Sequence, residues 1–130
     1  MSPDRKVQSR LKKDLVIWLG TAGADGRPHA VLVWFHWDGE SFLVYSVPGQ
    51  KVNDIKANPN VVLHLNSDPE GGNVVRITGT AKIVRNQPPA SKVPAYIRKY
   101  RELIRSYEWT PLSFSKQYSV AIRIRPTKFH

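Results

Sequence analysis

The residues that could do chemistry here are few. Gly49-Gln50-Lys51 lies between an apolar alternation and a short helical pattern. At such a strand-to-helix junction the first backbone N–H groups have no partner inside the helix, and the helix dipole favours an anion. Lys51 adds a positive charge on a flexible stem. The junction is a candidate phosphate site, and it is equally a common surface junction that binds nothing; spacing alone leaves both readings open. Trp34, Trp37 and Trp109 can flank a flat ring or pack in a core, and Trp18 is assigned to the core. The four histidines, His29, His36, His64 and His130, show no metal-ligand spacing. His36 and His64 fall within strands and read as hydrogen-bonded structural residues. Asp25, Asp38 and Asp68 sit in turn signatures, where a carboxylate bonds nearby backbone. No serine stands in a nucleophile-elbow context, and there is no cysteine. No catalytic side chain and no metal ligand is therefore assigned. Redox chemistry in such a chain belongs to a cofactor, with the protein supplying binding and orientation.

The elements that position these residues follow from hydrophobic period. Phe42, Val44 and Ser46 alternate with Leu43 and Tyr45, the pattern of a half-buried strand. Pro48 and Gly49 stop it. Val52, Ile55 and Pro48 then share one helical face, with Lys51, Asp54 and Lys56 pointing elsewhere. Asn58-Pro59 ends that helix. Upstream, Pro3 to Lys13 reads as an amphipathic helix carrying Val7 and Leu11, capped by Ser2 with Pro3 at its first position. Asp14 to Thr21 reads as a strand buried on both faces, an almost continuous apolar run whose periodicity also allows a buried helix. Asp25-Gly26 and Asp38-Gly39 are tight turns on either side of a long second strand, His29 to Trp37. Glu40 to Val47 is the third strand, and the three form an antiparallel meander. Val61 to Asn66 is the fourth strand and Asn73 to Arg85 the fifth, with Gly79 marking a bulge or bend. Lys92 to Tyr107 reads as a helix with Pro94 in its first turn and Val93, Tyr96, Ile97, Tyr100, Leu103, Ile104 and Tyr107 on one stripe. Trp109 to Phe114 is read as a loop. Gln117 to Pro126 is the last strand, closed by Pro126. Six strands with short antiparallel connections and about three peripheral helices predict an all-β barrel, since closing a sheet removes exposed edges.

Composition narrows the class. A chain of 130 residues with 41% hydrophobic content is one globular domain, residues 1–130. The absence of cysteine excludes disulfides and thiol chemistry and suits a reducing cytoplasm, the expected location. No apolar run near the N-terminus is long enough for a signal peptide or membrane span. Twenty Lys and Arg against ten Asp and Glu give a net charge of +10. The basic residues are scattered rather than blocked. They make either a solvated basic surface or a field that concentrates an anionic partner.

Taken together, Asp25-Gly26-Arg27-Pro28-His29, the strand to Trp37-Asp38-Gly39, Tyr45-Ser46 and the run Gln50 to Val61 resemble the pyridoxamine 5'-phosphate oxidase-like superfamily. The similarity is greatest to its small members that use the deazaflavin coenzyme F-420. It covers roughly residues 7–85, and Ala121 to Pro126 fits the closing strand. The resemblance implies a six-stranded antiparallel split β-barrel, Greek-key-like, that forms a homodimer with two interfacial cofactor sites. It places the flavin-like ring along Val31, Leu32, Val33 and Trp34, and the phosphate on Tyr45, Ser46, Gln50 and Lys51. The oxidase proper carries Arg-Lys where this chain has Gln50-Lys51, and its C-terminal substrate-pocket segment has no counterpart before His130. The resemblance therefore does not extend to vitamin B6 oxidation. It implies hydride transfer between reduced F-420 and a conjugated or quinone-like small molecule, over a slot lined by Trp34, Trp37 and Trp109. A charge of +10 suits the polyanionic F-420 better than the single phosphate of FMN. Two alternatives remain: an FMN-binding oxidoreductase of the same fold, and a non-catalytic module binding a cofactor or nucleic acid. Against nucleic acid, aromatics do not interleave with basic residues on one strand face. The expected partners are a small-molecule substrate and a second copy of the chain, without nucleic acid or membrane.

Overall fold

The computed structural model describes residues 3–130. Its elements run α1 (Arg5–Lys13), β1 (Ile17–Ala22), β2 (Pro28–Val33), β3 (His36–Trp37), β4 (Phe42–Ser46), α2 (Gln50–Ala57), β5 (Asn60–His64), β6 (Arg76–Val84), a 3-10 turn (Ala90–Lys92), α3 (Pro94–Ser106), α4 (Pro111–Gln117) and β7 (Val120–Phe129). The strands form one antiparallel sheet in the order β2-β1-β5-β6-β7-β4-β3. Among the described residues there are seven strands, not the six expected, because the predicted strand His29 to Trp37 is divided. Its first part pairs with β1, at one edge of the sheet. Its last part pairs with β4, at the other edge. Only Trp34 and Phe35 join the two, so the edges lie within about 11 Å at this seam. The sheet must curl to bring them together, and the result is a half-barrel.

The seam is fixed from outside by α3. The Phe35 backbone N–H donates to the Tyr100 hydroxyl oxygen at 2.8 Å. The Lys99 ammonium donates to the Phe35 carbonyl at 2.9 Å and sits over the Phe35 ring, 3.8 Å from its centroid. The Tyr100 hydroxyl lies 2.7 Å from the Leu15 carbonyl oxygen and 2.9 Å from that of Phe35. Backbone groups that leave both ladders at the seam thus find side-chain partners, as buried polar groups require.

Alternation decides which side of the sheet each residue faces. Ile17, Leu19, Phe42, Val44, Leu63, Ile77, Ile122 and Ile124 point into the barrel with Leu11 of α1 and with Val52 and Ile55 of α2. β1 is buried on one face only, with Trp18 half-exposed, whereas β4 is buried on both. The second face of β4, Leu43 and Tyr45, packs under α3 and α4 with Tyr96, Tyr100 and Phe114.

Several local expectations are corrected. Helix α1 is capped by Asp4, whose carboxylate accepts from the Val7 N–H at 2.9 Å; Ser2 lies outside the described residues. The described residues hold four α-helices, not three. The stretch read as a loop includes the start of α4, where Thr110 and Ser113 form a reciprocal capping box around Pro111. β7 does not stop at Pro126 but runs to Phe129. The register shifts between Thr78 and Gly79, and Pro126 faces Gly79 at that bulge, a place where proline is tolerated in a sheet. A Cβ on Gly79 would meet the Arg125 carbonyl oxygen at 2.8 Å, so the close approach requires glycine.

Candidate functional site

The chain around Lys51 assembles as its sequence predicts. β4 ends at Ser46, and α2 begins at Gln50 with no side chain capping its N-terminus. The N–H groups of its first turn are therefore available to an anion. Lys51 reaches back across the junction, its ammonium donating to Ser46 Oγ at 2.7 Å. Ser46 Oγ in turn donates to the Val47 carbonyl at 2.7 Å. Burial holds the Lys51 ammonium below the ordinary lysine range. A half-buried cation with one neutral partner gains from a bound anion.

Beside Lys51 opens a cavity of about 300 Å³. Leu32, Val33, Trp34, Tyr45 and Lys51 line it, five of the eight residues predicted for the site. The remaining wall is aromatic: Tyr96 from α3, Phe114 from α4, and Tyr107, Trp109 and Tyr118 from the segments around them. Trp34 is stacked between Tyr100, with centroids 4.7 Å apart and planes 3° apart, and Phe114, at 5.3 Å and 15°. Both faces of Trp34 are thus covered, and the stacked rings border the cavity with their edges. The Tyr96 hydroxyl is buried and has no hydrogen-bond partner among the described residues. Burial raises the Tyr96 pKa well above the tyrosine range, which keeps the hydroxyl protonated. An orphaned donor in an aromatic wall fits a ring that bears a carbonyl oxygen.

The other predicted residues take different places. Val31 lies on β2, 40% exposed, outside the cavity wall, and Leu32 beside it is 48% exposed. Ser46 is buried and touches Lys51 rather than the cavity. Gln50 is turned away from the junction, its amide donating to Asp54 Oδ1 at 2.7 Å. Its backbone N–H, not its side chain, is what it can offer a phosphate. Trp37 does not line the slot. It is buried in the barrel, with its indole N–H donating to Gln8 Oε1 at 2.7 Å. Trp18 is half-exposed, its indole N–H donating to Asn66 Oδ1 at 3.0 Å.

A second feature has Tyr45 in its wall as well. An open groove of about 940 Å³ runs from Gly49 and Asn53 of the junction past Lys56 to Lys82, Arg85 and Gln87, with Tyr45 shared between groove and cavity. Among the described residues, no carboxylate lines it. Lys12 is elsewhere, in a separate recess, and does not extend this groove.

Sequence reasoning misses the buried carboxylate beside the site. The helical pattern points Asp54 away from the core, yet it is 1% exposed. Asp54 Oδ2 accepts from Thr21 Oγ1 at 2.8 Å and lies 2.9 Å from His29 Nδ1. The Gln50 amide bond, then the Thr21 hydroxyl, hold its pKa below the ordinary aspartate value. Asp54 ties the start of α2 to β1 and β2, and so positions Lys51. The turn carboxylates behave as read: Asp25 Oδ1 accepts from Arg27 N–H, Asp38 Oδ1 from Glu40 and Ser41, and Asp68 Oδ1 from Glu70 and Gly72. Among the described residues, no three metal-ligating side chains come together, and no helix is long and apolar enough to cross a membrane.

The strands thus form a curled antiparallel half-barrel with an aromatic, lysine-edged cavity outside one strand. Residues 3–130 match the pyridoxamine 5'-phosphate oxidase family, and the chain belongs to it. An F420 reductase is 29% identical with a TM-score of 0.69, the match covering 95% of this chain and 94% of that one. A conserved hypothetical protein of Mycobacterium tuberculosis reaches a TM-score of 0.75 at 20% identity, over 99% of this chain and 83% of the other. The heme storage protein of Vibrio cholerae shares the fold at 15% identity and a TM-score of 0.67, over 98% and 92%. Among curated proteins, none matches this sequence.

Proposed function

We propose that the chain is a coenzyme F-420-dependent reductase acting on a conjugated or quinone-like small molecule. The observation that carries this reading is a long basic groove that shares the wall residue Tyr45 with a flat aromatic cavity. FMN needs the cavity and one phosphate site. F-420 also carries a polycarboxylate tail, and Lys56, Lys82 and Arg85 provide a carboxylate-free path for it. The 29% identity to an F420 reductase supports the same choice.

Each residue has a physical role in this reading. Lys51 and the free N–H groups of the first turn of α2 bind the phosphodiester. Trp34, Trp109 and Phe114 border the ring and exclude water, and the Tyr96 hydroxyl offers it one hydrogen bond. When bound, reduced F-420 supplies the hydride; the protein needs no acid, base or nucleophile for that step. A second copy of the chain covers the exposed Val31 and Leu32 of β2 and completes the site, so the working unit is a homodimer. Sedimentation at micromolar concentration tests that part.

Fluorescence titrations with F-420 and FMN at low salt test the cofactor. F-420 is expected to bind about tenfold more tightly, the sum of several exposed ion pairs each worth under about 1 kcal/mol. Equal affinities, or FMN co-purifying at full occupancy, overturn the deazaflavin reading in favour of FMN.

A further inference from the structure

We propose that the recess between α1, β3 and α3 is a second anion site, one that takes a phosphoryl-bearing small molecule through Lys12, His36, Arg98 and Lys99. The recess has a volume of about 480 Å³ and is lined by those four residues with Trp37 and Ala95. It lies off a different face of α3 from the aromatic cavity, and no residue lines both.

The basic groups there have no acidic partner of their own. Two carboxylates approach from neighbouring elements, Asp14 toward Lys99 and Asp38 toward His36. Both are already engaged by arginines outside the recess. Asp14 lies 3.3 Å from Arg10, and Asp38 lies 3.5 Å from Arg123 while accepting from the amides of Glu40 and Ser41. Lys12, Arg98, Lys99 and His36 therefore line one recess with no carboxylate among the described residues of its lining, and Lys99 keeps donor capacity beyond its bond to the Phe35 carbonyl. Burial pushes Lys99 down to about 8, and burial followed by the Lys99 charge holds His36 below its ordinary value.

Geometry selects the ligand class. Lys12 comes from the end of α1, His36 from β3, and Arg98 and Lys99 from α3, so four basic side chains from three elements share the recess. A tetrahedral group with three charged oxygens satisfies them better than a planar carboxylate with two. The volume exceeds what one phosphate fills, so a small phosphorylated molecule fits rather than the free ion alone.

Calorimetric titration with pyrophosphate tests the site. The Lys51→Ala variant is used to weaken the proposed cofactor site, and pyrophosphate held by Lys56, Lys82 and Arg85 in the open groove is told apart because the added substitutions leave that groove intact. One equivalent is expected to bind, and affinity is expected to fall about tenfold when Arg98→Ala or Lys12→Ala is added. Both side chains are exposed, so the melting temperature should stay unchanged. At pH 8 binding should draw in protons, because the anion favours charged Lys99 and His36; heats measured in buffers of different ionisation enthalpy will differ. Loss of all pyrophosphate binding in Lys51→Ala overturns this second site while leaving the cofactor proposal intact. Binding that ignores both added substitutions also overturns it. Citrate binding as tightly as pyrophosphate overturns the phosphoryl assignment.

Discussion

The two faces of β4 look onto different kinds of packing. Phe42 and Val44 enter a barrel filled mainly by Ile, Leu and Val, and most of its central side chains are fully buried. Leu43 and Tyr45, one residue out of phase, enter a layer built from Tyr96, Tyr100, Phe114 and Trp34. Aliphatic side chains of varied shape interdigitate and close the barrel. Large flat rings stacked on one another leave space at their edges, and here that space is the cavity beside Lys51. The outer layer also holds the orphaned Tyr96 hydroxyl, a group that the barrel would not tolerate. Both faces of the strand are tightly packed, and ligand capacity lies on the outer one.

Leu63→Ala tests the barrel side of this comparison. Leu63 is fully buried, and its truncation should cost about 2–5 kcal/mol in denaturant unfolding. Cofactor affinity measured below the unfolding transition should stay unchanged. A loss of affinity without a loss of stability would show that the barrel takes part in binding.

Lys51→Ala is the reciprocal experiment. Cofactor affinity should fall by about 1.5–3 kcal/mol, as for a charge-assisted hydrogen bond, while the melting temperature of the cofactor-free protein hardly moves. As pH rises, wild-type affinity should weaken earlier than an ordinary lysine implies, because burial lowers the Lys51 pKa and only the charged form binds phosphate. Unchanged affinity in the variant would make Lys51 a surface residue.

Lys99 sharpens the comparison at the seam between the two regions. Its folded pKa of about 8 lies below the unfolded value near 10.5. Between those values the unfolded chain holds the proton that the folded chain has lost, so stability rises with pH across that window. Below about pH 8 both states are protonated and the folded protein bears the cost of the buried charge. Lys99→Met should flatten this rise by about 1 kcal/mol, a value discounted for partial exposure. Parallel unfolding curves at about pH 7.5 and 10 for both proteins check it; identical slopes contradict it.

Tyr96→Phe should have the smallest effect on stability, under about 1 kcal/mol, and should be neutral or stabilising, since it removes an unpaired buried hydroxyl. The same change should weaken ring binding. Clear destabilisation would mean that the hydroxyl has a partner inside the folded chain.

Much of this division is legible in the order of the amino acids alone. Asp25-Gly26 and Asp38-Gly39 announce their turns, and both glycines take positive φ, +76° and +98°. Lys51 is exposed as a candidate by the junction around it. The break at Trp34-Phe35 is not legible, because the apolar run continues through it. It arises from closure of the whole sheet, which no local pattern encodes. Asp54 is hidden for a similar reason: Thr21 and His29, which hold it, are 33 and 25 residues away. Helix α4 has a local signal in Thr110-Pro111 and Ser113, which a loop beginning at Trp109 passes over. The walls of the cavity divide the same way. Trp34 and Trp109 stand out as aromatics in the sequence, whereas Tyr96 reads only as part of the α3 core stripe.

The central claim is that the groove beyond Tyr45 selects a polyanionic cofactor. The most direct measurement is the ratio of F-420 to FMN affinity at low ionic strength and at about 1 M salt, for the wild type and for Lys82→Ala/Arg85→Ala. The screening length shrinks from about 10 Å at 0.1 M to about 3 Å at 1 M, so exposed pairs along the groove fade. The ratio should favour F-420 at low salt, narrow at high salt in the wild type, and be already narrowed and nearly salt-independent in the double variant. A ratio that ignores both salt and the two substitutions would contradict the account.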